Sequence, residues 1–292
     1  MLFRWEWLRP VLTVPYVPTL GPVHPSVLTE DLFADVLRAA EQQRRFLRYD
    51  KDVRWSDVKD ETVLAEDIAH RPGETLVPTL VRRGKGTVKV HVYGVEPDSP
   101  LVAGELAAKL CARHDAARAR MVTFLGPEHA GCDGAGTRVQ LKDFTSMSSP
   151  DPEPGTVLPF DDCPGAVRAN FTAFAAQMAA DGFAFLHRQM LAGAVGPVLV
   201  AVHEGRVAGA IGPMEIRPDA VGARQLMPQY FGVLPEHRGR GYGRALWRAA
   251  MHWGQEHSAA YQLLQTEVGG ASDRLCRSEG LTSLGIVYSK PI

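Results

Sequence analysis

Residues 230–244 read Tyr-Phe-Gly-Val-Leu-Pro-Glu-His-Arg-Gly-Arg-Gly-Tyr-Gly-Arg. An apolar strand runs out at Pro235, and the helical spacing of Leu246, Ala249, Ala250 and Trp253 begins at about Gly241 and extends to about His257. The crossing between them holds Gly239, Gly241 and Gly243 among Arg238, Arg240 and Arg244. Glycines let a backbone curl so that successive N–H groups point inward, and the start of a helix adds its positive end, so this loop is read as a nest for a pyrophosphate. The Walker pattern GxxxxGK[ST] is absent, and the dinucleotide fingerprint GxGxxG fails because Arg244 stands where its last glycine would be.

Outward from this loop, Ala166–Leu191 reads as a helix, 197–203 and 206–216 as a strand pair about Glu204-Gly205, and 224–234 as one further strand. After the helix come a strand at 261–268, a helix at 272–278 and a strand at 281–288. The first half of the chain offers a similar order: a helix at 28–47 capped by Thr29, a hairpin of 74–82 with 86–95, a helix at 104–118 and a strand at 121–125. Val92-Tyr93-Gly94-Val95-Glu96-Pro97 lines up with Tyr230-Phe231-Gly232-Val233-Leu234-Pro235, and the helix and strand that follow each also correspond. The chain therefore reads as two copies of one α+β unit, 1–148 and 163–292. The stretch 149–162, rich in Pro and acidic residues, is taken as a linker. The copies differ at the crossing: Glu96–Gly104 is acidic and holds two prolines, which lack N–H donors, so it is a poor anion site.

Composition narrows the function. With 32 Lys and Arg against 33 Asp and Glu, the net charge of −1 offers no broad basic surface for nucleic acid, so any anion site is local. Cys111, Cys132, Cys163 and Cys276 show neither CxxC nor paired spacing, which suggests no disulfide framework or zinc site and a reducing cytosol. Charges at Arg4, Glu6 and Arg9 and prolines at 10, 15 and 18 interrupt the first apolar run well before the ~18 residues a membrane span needs, so neither an anchor nor a signal peptide is expected. His252 and His257 lack the i, i+4 spacing of a helical metal pair, so no metal is expected.

The pattern R-x-x-G-x-G at Arg238, Gly241 and Gly243, placed between a strand and a helix, resembles the pyrophosphate loop of the GNAT superfamily of acyl-CoA-dependent N-acyltransferases. The resemblance covers about 157–292 well and the first copy weakly, and the two-copy arrangement is similar to that of mycothiol synthases. It implies a tandem fold of two mixed sheets flanked by helices, the N-terminal one degenerate and supplying packing surface and a wall of the acceptor cleft. It also implies acyl-CoA, in particular acetyl-CoA, as cosubstrate and a primary amine of a small polar metabolite, such as a natural-product intermediate, as acceptor. Phe231, Val233 and Leu234 would meet the pantetheine arm, and Arg238, Gly239, Arg240, Gly241, Tyr242, Gly243 and Arg244 the pyrophosphate. Gln229 and Tyr230 would orient the substrate. Chemistry would be direct attack of the amine on the thioester, with the N–H of about Val233 polarising the carbonyl.

The family's later landmark, an Asn followed seven residues on by a Tyr that acts as general acid, departs here: Gly269 stands for the Asn, Cys276 for the Tyr and Leu281 for a Phe. Cys276 is thus the candidate acid. Glu267, at the end of the fifth strand, is the candidate base, with His203 and Glu215 behind it. Two other readings keep the fold: an aminoacyl-tRNA-dependent transferase of Fem type, and a non-catalytic acyl-CoA-binding module. A monomer or homodimer without a membrane partner is expected.

Overall fold

The computed structural model describes residues 3–42, 46–56, 58–94, 96–129, 135–145 and 157–292. Helix α1 (Trp5–Leu8) and the short strands β1 (Tyr16–Val17) and β2 (Gly21–Pro22) precede α2 (Glu30–Glu41), β3 (Glu61–Val63) and β4 (Ala69–Arg71). Then come β5 (Glu74–Val81), β6 (Thr87–Tyr93), α3 (Ser99–His114), β7 (Arg118–Leu125) and β8 (Thr137–Asp143). The second half runs β9 (Val157–Pro159), α4 (Gly165–Gln177), α5 (Phe183–Leu191), β10 (Leu199–His203), β11 (Arg206–Gly212), β12 (Ile216–Pro218) and β13 (Arg224–Leu226). It ends with β14 (Tyr230–Val233), α6 (Tyr242–Glu256), β15 (Tyr261–Glu267), α7 (Ala271–Ser278) and β16 (Thr282–Pro291). The result is the mixed α+β architecture expected. The chain divides into two compact units, one of Met1–Lys142, Asp219–Val221 and Leu263–Ile292, the other of Asp143–Pro218 and Gly222–Gln262.

In the first unit β5 and β6 form the expected antiparallel hairpin, and β6 runs parallel to β7 from Thr87 opposite Arg118 to Val92 opposite Thr123. Parallel neighbours need a crossover, and α3 supplies it. Val88, Val90 and Val92 are fully buried and pack with Ala103, Ala107 and Leu110 of α3. Thr29 caps α2 as read, its Oγ1 accepting the Leu32 N–H at 3.4 Å. Helix α3 starts earlier than its periodicity suggested. Ser99–Ala103, taken as loop, form its first turns, with Pro100 at a position where no N–H is needed.

The last strand changes the expected division of the chain. β16 lies antiparallel between β7 and β8, Ile286 facing both Leu125 and Arg138. Residues 263–292 therefore pack in the unit of the N-terminal half rather than in a self-contained 163–292 domain. The linker also needs correction: 149–156 lie outside the described residues, but Val157–Pro159 form β9, paired with β10, and Phe160–Asp162 form a 3₁₀ turn.

The second unit is built on the antiparallel sheet β14-β11-β10-β9. Phe171 and Phe174 of α4 and Phe183 and Leu186 of α5 are buried with Val198 and with Val200, Val207 and Ala210 of the sheet. Helix α6 packs on β10 and β11. Two stretches read as continuous are broken. The helix expected over 166–191 divides at Met178–Gly182, where Gly182 has φ +85° and a Cβ would lie 2.4 Å from the Tyr230 ring, so only glycine fits. The strand expected over 224–234 divides at Met227-Pro228-Gln229. Pro228 cannot donate to a ladder, and β13 and β14 pair with different partners. β13 runs antiparallel to β12 and parallel to β15 through Gln225 opposite Tyr261 and Leu226 opposite Gln262. Among the described residues no helix is long and apolar enough to cross a membrane.

Candidate functional site

β14 is the edge of its sheet. On one side it pairs with β11, Tyr230 to Val233 facing Gly212 to Gly209. On the other side no strand accompanies it among the described residues, because the ladder that joined β13 to β15 ends at Leu226 and Gln262. Every residue of β14 is half-buried, unlike the flanked strands around it. The Leu234 N–H donates to the Ala208 carbonyl at 2.9 Å. In an antiparallel ladder successive residues point their polar groups to opposite sides, so the N–H and C=O of Phe231 and Val233 face the open edge. The Val233 carbonyl there accepts from Arg238 Nε at 3.1 Å.

Beyond Leu234 the chain makes a 3₁₀ turn, Pro235–His237, and then the glycine loop. Gly239 and Gly241 have φ +76° and +87°, values that glycine adopts without strain, and a Cβ at either would meet nothing within 4 Å. These glycines are required by backbone conformation, and the space beside them is open. Arg238 N donates to Pro235 O and Ala245 N to Gly241 O. Between them the N–H groups of Gly239, Arg240, Gly241, Tyr242 and Gly243 have no acceptor among the described residues. These five consecutive donors stand at the positive end of a fifteen-residue helix, an arrangement suited to an anion. Gly243 differs from the other two: a Cβ would make ordinary contacts with Phe231 and Val233 at 3.6 and 3.8 Å, so alanine fits.

Of the loop's arginines, Arg238 is folded back on Val233, while Arg240 extends to His203 at 3.4 Å. His203 ends β10 and also hydrogen-bonds the Tyr242 hydroxyl at 2.8 Å. Read from sequence as a reserve base, His203 is instead occupied as a brace of the glycine loop. The His237 ring stands against it edge-on at 4.9 Å, with a buried Nδ1 that has no partner among the described residues. Nothing local in the sequence signals this cluster, whose members lie 34 to 39 positions apart from His203 in the chain.

The remaining candidates are placed as follows. Gln229 accepts from Gln262 Nε2 at 2.7 Å, where the β13–β15 ladder ends, and the other atoms of the two amides, Gln229 Nε2 and Gln262 Oε1, are buried without partners among the described residues. Gln262 was not singled out from sequence. Tyr230 turns its ring to Gly182, Phe183 and Phe185. Glu215 pairs with Arg217. Glu267 is exposed at the end of β15 and, like Cys276, belongs to the first unit, whereas the glycine loop belongs to the second. Cys276 is only 2% exposed, and burial, reinforced by Asp273, pushes its thiol up to about 12. A thiol so placed is a packing residue, not the acid expected to reach a leaving thiolate. Asp273, one helical turn before it, is fully buried and accepts from Arg138 Nε at 3.0 Å and the Gly269 N–H at 3.0 Å, so the turn that replaces the family's Asn is held by this carboxylate. Among the described residues no group of three or more His, Cys, Asp or Glu is placed to hold a metal ion.

An open-edged strand followed by a run of backbone donors at a helix start is an arrangement suited to a long phosphorylated ligand. Residues 169–276 match the model of the Acetyltransferase (GNAT) family. Among solved structures it is similar to a GCN5-related N-acetyltransferase from Sphaerobacter thermophilus (15% identity, TM-score 0.47, 81% of this chain and 82% of that one). It is also similar to a tandem GNAT protein from the clavulanic acid biosynthesis pathway and to a GCN5-related N-acetyltransferase from Kribbella flavida. Each of these two shows 14% identity, a TM-score of 0.45 and coverage of 89% of this chain and 94% of the other. No curated protein matches the sequence.

Proposed function

We propose that this enzyme transfers an acyl group, in the first instance acetyl, from acyl-CoA to a primary amine of a small polar metabolite, for example a natural-product intermediate. The observation that carries the reading is the run of five unpaired N–H groups, Gly239 to Gly243, set directly after an edge strand whose far side is open. The nest and helix end suit the pyrophosphate. The amides of the pantetheine arm suit the Phe231 and Val233 backbone groups, in the manner of a peptide adding to a sheet edge. With the arm so held, the Val233 N–H stands to donate to the thioester carbonyl and stabilise the oxyanion that forms on attack.

The reaction needs no covalent enzyme intermediate. The amine lone pair forms the C–N bond, the C–S bond breaks with its electron pair going to sulfur, and the nitrogen loses a proton that solvent or the departing thiolate takes up. Glu267 is the exposed carboxylate whose replacement by Gln tests whether a base takes part. The N-terminal half, whose crossing lacks a nest, is on this reading a copy that has given up cofactor binding.

A test is release of free thiol from acetyl-CoA in the presence of a panel of amino sugars, amino acids, polyamines and amino-bearing natural products, with and without ribonuclease. Amine-dependent, ribonuclease-insensitive thiol release is expected. Transfer that requires aminoacyl-tRNA would move the chain to the Fem-type reading, and coenzyme A binding without turnover on any amine would make it a binding module.

A further inference from the structure

The brace on the glycine loop has a chemistry of its own. Arg240 can only donate, so the contact from its Nη1 to His203 Nε2 at 3.4 Å makes Nε2 an acceptor. The proton of the neutral ring then sits on Nδ1, and the 2.8 Å contact with Tyr242 is a donation from Nδ1–H to the hydroxyl oxygen. A hydroxyl that accepts still owns one proton. Tyr242 is the first residue of α6, and its hydroxyl proton is thereby left for a further acceptor. The same ring keeps the exposed Arg240 guanidinium from wandering in solvent. His237 limits its movement from one side at 4.9 Å, and Glu204, in the turn after β10, lies 3.8 Å from Nε2.

We propose that His203 is a positioning residue of the acyl-donor site: it presets the Tyr242 hydroxyl as a donor, and Arg240 as a charge, for the phosphates held by the glycine loop. The inference rests on the acyl-CoA reading above. It adds to that reading a side chain from a neighbouring strand that touches neither the acyl group nor the acceptor.

Calorimetric titration with coenzyme A, with adenosine as the probe lacking phosphate, tests it on the wild type, His203→Ala, His203→Asn, Tyr242→Phe and the double variant His203→Ala/Tyr242→Phe. His203→Ala is expected to weaken coenzyme A binding about tenfold and leave adenosine binding alone, the loss appearing in KM for acetyl-CoA rather than in kcat. Asn places an amide donor where Nδ1 stood and is expected to restore most of the affinity. Tyr242→Phe should lose part of what His203→Ala loses, since Arg240 stays held, and the double variant little more than His203→Ala, because the hydroxyl acts through His203. Additive losses, full affinity in His203→Ala, or an Asn variant as weak as the Ala variant would overturn the proposal. Failure of the wild type to bind coenzyme A would instead overturn the reading on which it rests.

Discussion

The two strand-to-helix crossings, β6 into α3 and β14 into α6, share a topology and differ in what they leave unsatisfied. β6 has β5 on one side and β7 on the other, and its last four residues are buried. β14 has β11 alone. At the start of α3 the donors are consumed: Ser99 N reaches Glu96 O at 3.0 Å, Leu101 N and Val102 N reach Asp98 O at 2.9 and 3.1 Å, and Pro100 has none to give. A carboxylate, Asp98, also occupies that helix end, tied to Arg71 by two hydrogen bonds of 2.7 Å that hold its carboxyl below the usual range. At the start of α6 five donors are left over. On the proposed reading an anion site is made by what the backbone does not bond to itself, and the two crossings differ in how many donors they leave over.

Giving the second crossing the first one's carboxylate should have the largest effect. Gly241→Asp forces a side chain onto φ +87° and brings a negative charge to the nest, and coenzyme A binding by calorimetry should fall by roughly two orders of magnitude or more. A Cβ there meets nothing within 4 Å, so the loss should come with only a modest drop in melting temperature. Closing the open edge chemically is next. Val233→Pro removes the N–H that faces away from β11, and kcat in an acetyl-transfer assay should fall about 100-fold, while the ladder to β11 survives.

The flanked strand gives the third contrast. His91 of β6 is buried and its Nδ1 meets the Val77 carbonyl at 3.1 Å; burial pushes its pKa from 6.5 down to about 4. The unfolded chain therefore takes up the proton first. Its contribution is complete above about pH 6.5 and is lost as the pH falls toward 4, about 3 kcal/mol in all. Denaturant melts between pH 4 and 7 should show this loss in the wild type and a shallower one in His91→Gln. The smallest effect is expected at Cys276: with its thiol near 12 it should resist iodoacetamide at neutral pH in the folded protein, and Cys276→Ala should leave kcat within about twofold.

The glycine loop was legible because its message is local: three glycines and three arginines within seven residues at a strand-helix junction need no distant partner to be read. The hairpin of β5 and β6 and the apolar face of Val88, Val90 and Val92 were legible for the same reason, period-two alternation being a property of one segment. What escaped depends on pairing across the chain. The alternation of 224–234 runs on through Pro228, and only the choice of different partners for β13 and β14 reveals the break that opens the edge. β16 reads as a final strand of the second copy, and nothing in its own residues says that it will pair with β7 and β8. Cys276 stands at a motif position whose usual occupant is polar, and only the packed structure shows the thiol to be core. His203 carries no motif at all.

Amide hydrogen exchange with and without coenzyme A measures the free donors one by one. Coenzyme A should slow exchange at Gly239, Arg240, Gly241, Tyr242 and Gly243, and at Val233 on the open edge, and leave Ser99 to Val102 of the first crossing unchanged. Binding that leaves those five amides exchanging as before, or protects the first crossing instead, would contradict the assignment of the nest.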